Sequence, residues 1–230
     1  DRNMAAIPFG GRYRLVDFVL SNMVNSGITN VGVLATQHYH SLMDHLNNAQ
    51  QYDLNRKNGG LQLLPPFATE NVGANNRGKL DDLRNALDYL ETISTTPYVL
   101  LADAYVVCNI DYRPALEAHI ASGCDITMLA TLESEPSQEN YVSVLRADPS
   151  HRVTSYALDC VAKAGDYASM GHMIISRDFL INVIRDYTSR GIYDFLRDFI
   201  QHEFNRGRLS INLYEVDTTV LRVRNVDEYF

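Results

Sequence analysis

The chain has 230 residues, 46% of them hydrophobic and 21% charged, with 13 glycines and 7 prolines, a balance that excludes disordered and collagen-like chains and allows one large buried core. Its net charge of −8 argues against a nucleic-acid binder, which needs a clustered basic face, yet an acidic chain can still take a phosphorylated metabolite in a local pocket. Cys108, Cys124 and Cys160 are odd in number and widely spaced, so neither a disulfide framework nor a metal knuckle is expected, and the thiols suit a reducing cytoplasm. No apolar run approaches the ~18 residues of a membrane span, and no secretory signal opens the sequence, which begins at Asp1.

After the turn Pro8-Phe9-Gly10-Gly11, apolar residues at Leu15, Val16, Val19, Leu20 and Met23 predict a helix that Gly27 stops. Ile28 to Thr36 reads as a strand buried on both faces, Ser41 to Leu46 as a short helix, and Asn58-Gly59-Gly60 as a break before a strand at Leu61 to Leu64. Lys79 to Thr92 carries leucines at helical spacing and leads into the buried run Tyr98 to Ala102. Asp103 follows at once, and a lone carboxylate at the carboxyl end of such a strand is a candidate site residue, because ligands of open α/β sheets bind there. A helix from Arg113 to Ser122, closed by Gly123, precedes a strand at Ile126 to Thr131. The more polar Glu133 to Asp166 stretch reads as a hairpin excursion, with strands at Tyr141 to Leu145 and Arg152 to Leu158. A strand at Met173 to Ile175, helices at Asp178 to Tyr187 and Tyr193 to Phe204, and a last strand at Leu209 to Val216 complete the pattern. With no internal repeat or linker, residues 1–230 read as one three-layer α/β domain with a mainly parallel, mixed sheet.

Pro8-Phe9-Gly10-Gly11-Arg12-Tyr13-Arg14-Leu15-Val16-Asp17-Phe18, then Leu20-Ser21-Asn22 and Asn25-Ser26-Gly27-Ile28, resemble the start of bacterial glucose-1-phosphate adenylyltransferase. Thr36-Gln37 with Ser41-Leu42, Asn109-Ile110-Asp111-Tyr112 and Ala168-Ser169-Met170-Gly171 follow in that family's order, so the resemblance spans essentially the whole chain. Asn22-Met23-Val24-Asn25-Ser26 and Leu64-Pro65-Pro66-Phe67 look most like the GlgD-type regulatory subunit. The resemblance implies a Rossmann-like nucleotidyltransferase fold that joins ATP and glucose 1-phosphate to give ADP-glucose and pyrophosphate. It also implies a glycine-rich nucleotide loop before Asp1, a left-handed β-helix after Phe230, cytoplasmic location, and a hetero- or homotetramer with a catalytic partner subunit.

Such chemistry needs positioning and charge neutralisation, from magnesium held by paired carboxylates and from cations on the phosphates. By resemblance, Asp103 is the metal-binding aspartate. Aligning the family's paired aromatic on Tyr229-Phe230 puts Arg222 at the second metal position, a cation where Mg2+ needs oxygen, although a shifted register would bring in Asp217. Leu158-Asp159-Cys160 stands where the family has its Glu-Lys-Pro contact to glucose 1-phosphate, and Asp159 there is expected to repel phosphate. Met4 replaces a lysine. Gly78-Lys79-Leu80-Asp81-Asp82 keeps Gly78 and Asp81 of a nucleotide segment, and Leu80 is expected to crowd it. Gln37 matches a position near the adenine, and Ser169, Met170 and Gly171 a loop at the sugar. Both sets also suit packing at strand ends. Arg12 and Arg14 form a candidate effector or subunit contact, while His38, His40 and His45 lack zinc-like spacing and read as solvated helix-end residues.

The reading these substitutions favour is a non-catalytic or weakly catalytic subunit that tunes a catalytic homologue. Two alternatives stand beside it. One is a competent enzyme in which Asp103, Asp217 and Lys79 or Lys163 take over the lost roles, and the other is a sensor of nucleotide or sugar phosphate.

Overall fold

The computed structural model describes residues 4–34, 40–46, 52, 54, 59–64, 78–134 and 141–223. Expectations at Gln37, His38, Pro65-Pro66-Phe67 and Tyr229-Phe230 fall outside them.

A two-residue ladder of β1 (Pro8–Phe9) and β2 (Tyr13–Arg14) opens the described chain. It leads into α1 (Leu15–Asn25), whose Leu15, Val16, Val19, Leu20 and Met23 are buried as their spacing predicts. The backbone N–H of Arg14 donates to the Asp17 carboxylate at 2.8 Å, which caps the helix start. At the other end Gly27, with φ +81°, donates to Val24 O while Ile28 donates to Met23 O, so the last carbonyls are satisfied and the helix stops. β3 (Asn30–Leu34) and β4 (Gly60–Leu64) pair in parallel, and α2 (His40–Leu46) lies between them in sequence.

The main sheet contains β5 (Tyr98–Ala102), β7 (Ile126–Leu132), β8 (Tyr141–Ala147), β9 (Val153–Val161), β10 (Tyr167–Ser176) and β11 (Ile211–Glu215). Its order is β11-β7-β10-β8-β9, with β5 also on β10, while β6 (Val106–Val107) pairs separately with β12 (Leu221–Arg222). β10 is antiparallel to β5, β7 and β8, whereas β11 is parallel to β7. The expected mixed sheet is therefore present, and β5, β7, β8 and β11 share one direction. Among these ladders, however, only β11–β7 is parallel, because the β8–β9 hairpin returns the chain into the sheet as the reversed strand β10.

Alternation along the strands makes three layers. Met128 of β7 and Met173 of β10 face one core, with Leu180 and Ile184 of α5 (Arg177–Ser189) and Leu80 of α3 (Lys79–Arg84). Leu129 and Ile174, one residue along, face the other core with Val19 of α1 and Ala115 of α4 (Arg113–Ser122).

Two helices differ from their predicted form. The Lys79–Thr92 stretch is α3, then i→i+3 turns at Asn85 and Ala86, then a π-helical turn Tyr89–Ile93. The widened turn accompanies a 2.6 Å bond from Tyr89 OH to Asn30 Oδ1. The Tyr193–Phe204 stretch starts where the Asp194 carboxylate accepts from the N–H groups of Leu196 and Arg197. It runs as a π-helix over Phe195–Gln201, and ends in α6 (His202–Asn205). The predicted Met173–Ile175 strand extends to ten residues, which brings Ser169 to Gly171 into β10 instead of a loop.

Candidate functional site

β10 changes partners partway along. Its first residues pair with β8 and its later ones with β5, and the register against β7 shifts between Ser169 and His172. Gly171 makes that bulge at φ +72°, and its N–H is 3.1 Å from Ser169 Oγ. His172 is in register with Ala102, so Asp103, leaving the end of β5, lies against the bulge. A Cβ on residue 171 would stand 2.5 Å from Asp103 Oδ2 and closer still to the Tyr105 hydroxyl. Glycine here lets a carboxylate and a phenol approach the backbone, which no larger residue permits.

His172 fixes the backbone behind this carboxylate. Its Nε2 donates to the Asp103 carbonyl at 3.2 Å and its Nδ1 accepts from Tyr112 OH at 3.2 Å. Burial pushes its pKa down to about 4, so the ring is neutral at physiological pH.

The Asp103 side chain is engaged by a cation. Lys79 Nζ lies 2.7 Å from Asp103 Oδ1, each side chain 29% exposed. Both line a cavity of about 220 Å³ together with Tyr105, Ser143, Ser169, Gly171 and Arg222. The Arg222 guanidinium is fixed there by bonds from Nη2 to Thr131 Oγ1 at 2.9 Å and to the Ala168 carbonyl at 3.1 Å. The β12–β6 ladder, in which Arg222 is in register with Val106, delivers it to the site.

The sequence-predicted residues thus divide. Asp103, Lys79, Ser169, Gly171 and Arg222 converge on the cavity. Met170 is fully buried in the core under α1 and α4. Asp81 pairs with Arg84 at 3.3 Å, and Gly78, at φ +141°, sits so close to the Tyr193 carbonyl that a Cβ would approach it to 2.5 Å, so neither lines the cavity. Leu80 does not crowd the cavity as expected, because it packs fully buried in the core. Asp217 and Lys163 are exposed and do not line it. Arg14 clips α1 to α2 through Ser41, its Nη1 donating to the carbonyl at 2.6 Å and to Oγ at 3.0 Å, while Arg12 is exposed. His45 bonds the buried Asp17 carboxylate at 2.6 Å and is not a solvated helix end.

Asp159 lines the cavity and pairs at 3.0 Å with Arg197 of the π-helix, which also lies 4.0 Å from Asp194. Sequence reasoning missed Arg197, His172, Tyr105 and Tyr156. Tyr105, two residues beyond Asp103, and His172, next to Gly171, carried local signals; Arg197 and the cavity-lining Tyr156 arrive through packing.

A divalent cation such as Mg2+ requires several hard oxygen ligands. Asp103 is held by an ammonium, Arg222 supplies a second cation, and no group of three His, Cys, Asp or Glu converges among the described residues. The described residues of this cavity do not fit such an ion.

This fold, with its site at the end of β5, is that of a nucleotide-transferring enzyme, and residues 1–218 match the nucleotidyl transferase family, to which the chain belongs. It is 40% identical over 186 residues to the glycogen biosynthesis protein GlgD of Geobacillus stearothermophilus, covering 81% of this chain and 48% of that protein. It is 33% identical over 204 residues to the glucose-1-phosphate adenylyltransferase of Pseudothermotoga lettingae, covering 88% and 48% respectively. The chain spans about half the length of these relatives. Among solved structures, HddC from Yersinia pseudotuberculosis complexed with GMP-PN superposes with a TM-score of 0.71 over 100% of this chain and 88% of that one; at 13% identity the likeness is one of fold. No helix among the described residues is long and apolar enough to cross a membrane.

Proposed function

We propose that residues 1–230 form the nucleotidyltransferase-like domain of a cytoplasmic subunit of glucose-1-phosphate adenylyltransferase in bacterial glycogen synthesis. The subunit is non-catalytic or weakly catalytic, and it modulates a catalytic homologue within a tetramer. Similarity to both GlgD and glucose-1-phosphate adenylyltransferases supports the pathway. The observation that carries the catalytic part of the reading is the Lys79–Asp103 ion pair with Arg222 in the same cavity. Transfer to glucose 1-phosphate develops negative charge on the α-phosphate and pyrophosphate, and a site whose carboxylate already holds an ammonium has little left to anchor a metal there. Modulation then means shifting a conformational equilibrium of the partner through the subunit interface.

The test is ADP-glucose synthesis from ATP and glucose 1-phosphate in Mg2+, with the full-length protein alone and mixed with its catalytic homologue. The protein alone is expected to give less than about 1% of the homologue's rate, a loss of at least ~2.7 kcal/mol of transition-state stabilisation. The mixture is expected to differ from the homologue alone in rate or half-saturation. Comparable activity from the protein alone rejects the proposal.

A further inference from the structure

Asn22, Ser26, Tyr112 and His172 are polar side chains buried behind the cavity, and none of them lines it. Their hydrogen bonds form one unbroken path. At the C-terminal end of α1, Ser26 Oγ donates to the Asn22 carbonyl at 2.7 Å and accepts from the Tyr112 N–H at 2.9 Å. The Asn22 side chain clasps the same segment, with Nδ2 donating to the Cys108 carbonyl at 3.0 Å and Oδ1 accepting from the Ile110 N–H at 3.3 Å. The Tyr112 hydroxyl then reaches His172 Nδ1, and His172 Nε2 reaches the Asp103 carbonyl, each at 3.2 Å. A neutral imidazole has one donor and one acceptor, so a single tautomer serves both bonds. Because the path is shielded from water, a link that opens leaves a polar group unsatisfied, at a cost larger than the bond's net contribution. Its members therefore move together.

The same helix has a second hold on the cavity. It packs against β6, and β6 pairs with β12, which carries Arg222. At its other end α1 emerges from the β1–β2 ladder, where Arg12 and Tyr13 stand exposed.

We propose that α1 is mechanically coupled to the cavity through the Ser26–Tyr112–His172 path, with Tyr112 and His172 as positioning residues that make the setting of the Asp103 backbone follow the seat of the helix. A shift of α1 pulls the Tyr112 backbone through Ser26, turns the His172 ring through the Tyr112 hydroxyl, and displaces the carbonyl just beyond β5. The path is a contiguous set of side chains that both ends can bias, which is what coupling between a surface and a site requires. It operates whether or not the domain is catalytic, and so does not rest on the reading of a modulating subunit.

The experiment is hydrogen exchange of the full-length protein with a mass-spectrometric readout over residues 98–105, which cover β5 and Asp103. Ser26→Ala removes the hydroxyl at the α1 end of the path, and it is expected to speed exchange over 98–105 roughly fivefold, the factor that loss of one buried hydrogen bond implies. Tyr112→Phe keeps the ring, breaks the bond to His172, and is expected to give a similar increase. Adding Ser26→Ala to Tyr112→Phe is expected to change little more, because the path is already cut. Ser122→Ala is the control. It removes a hydroxyl that bonds the His119 carbonyl at the far end of α4, off the path, and is expected to leave 98–105 unchanged. Increases that multiply in the double variant overturn the inference, since they would act independently. So does an unchanged exchange rate in Ser26→Ala. An increase in Ser122→Ala as large as that in Ser26→Ala marks general loosening of the fold and also overturns it.

Discussion

Gly171→Ala probes the approach of Asp103 to the β10 bulge. At φ +72° an alanine pays roughly 1–2 kcal/mol for the left-handed backbone alone. Its Cβ would also lie 2.5 Å from Asp103 Oδ2 and 3.1 Å from Tyr105 Cζ, so the carboxylate must swing away from Lys79 and the phenol must shift. The combined cost is about 3 kcal/mol, in the range of other strain and overpacking changes. Gly191→Ala is the matched control, since φ is +74° there and nothing lies within 4 Å of the added methyl, leaving only the backbone term of roughly 1–2 kcal/mol. At about 2–4 °C per kcal/mol for a chain of this size, thermal unfolding should fall by about 10 °C for Gly171→Ala and about 4 °C for the control. Equal shifts would refute the idea that the bulge glycine is there to admit Asp103 and Tyr105.

His172 is neutral in the fold because burial lowers its pKa to about 4 from an ordinary value near 6.5, so below 6.5 the unfolded chain takes up a proton that the folded chain refuses. Its contribution is complete above about pH 6.5 and falls by about 3 kcal/mol as pH approaches 4, and denaturant unfolding of His172→Gln against the native chain should show that difference shrinking with pH. A pH-independent difference would reject it. Burial likewise raises the Cys108 thiol to about 11, so at pH 8 a thiol reagent should label the partly exposed Cys160 first and Cys108 only on unfolding. Rapid labelling of Cys108 in the native protein would contradict its placement.

The layers were legible because periodicity reports burial. The α1 stripe, the Gly27 and Gly123 stops and the buried run of β7 stand as their spacing requires, whereas Tyr98–Ala102 forms the expected strand β5 but is only half-buried along its length. The family motifs were legible for a related reason, since they tie the scaffold together. Asn22 Nδ2 donates to Cys108 O at 3.0 Å and Ser26 Oγ accepts from the Tyr112 N–H at 2.9 Å, joining α1 to the chain after β6. The π-helical turns were not legible, because they answer to contacts such as Tyr89 with Asn30 and Phe195 with Phe199, at 5.4 Å between rings, and not to local propensity. Asp103 and Arg222, named from their places in the motifs, do line one cavity, but the Lys79–Asp103 and Arg197–Asp159 pairs join residues 24 and 38 positions apart, and only the fold shows them. Leu80 misled for the same reason, as its motif position says nothing about the side chain turning into the core.

The non-catalytic reading requires that Lys79 and Arg222 occupy the place where the resemblance puts a nucleotidyltransferase's metal. Mn2+ titration of the full-length protein, followed by electron paramagnetic resonance and repeated with Asp103→Asn and with the double variant Lys79→Thr/Arg222→Asp, tests it directly. The native protein is expected to have no saturable site that Asp103→Asn removes, and the double variant to gain one. A tight Mn2+ site in the native protein that disappears in Asp103→Asn would contradict it.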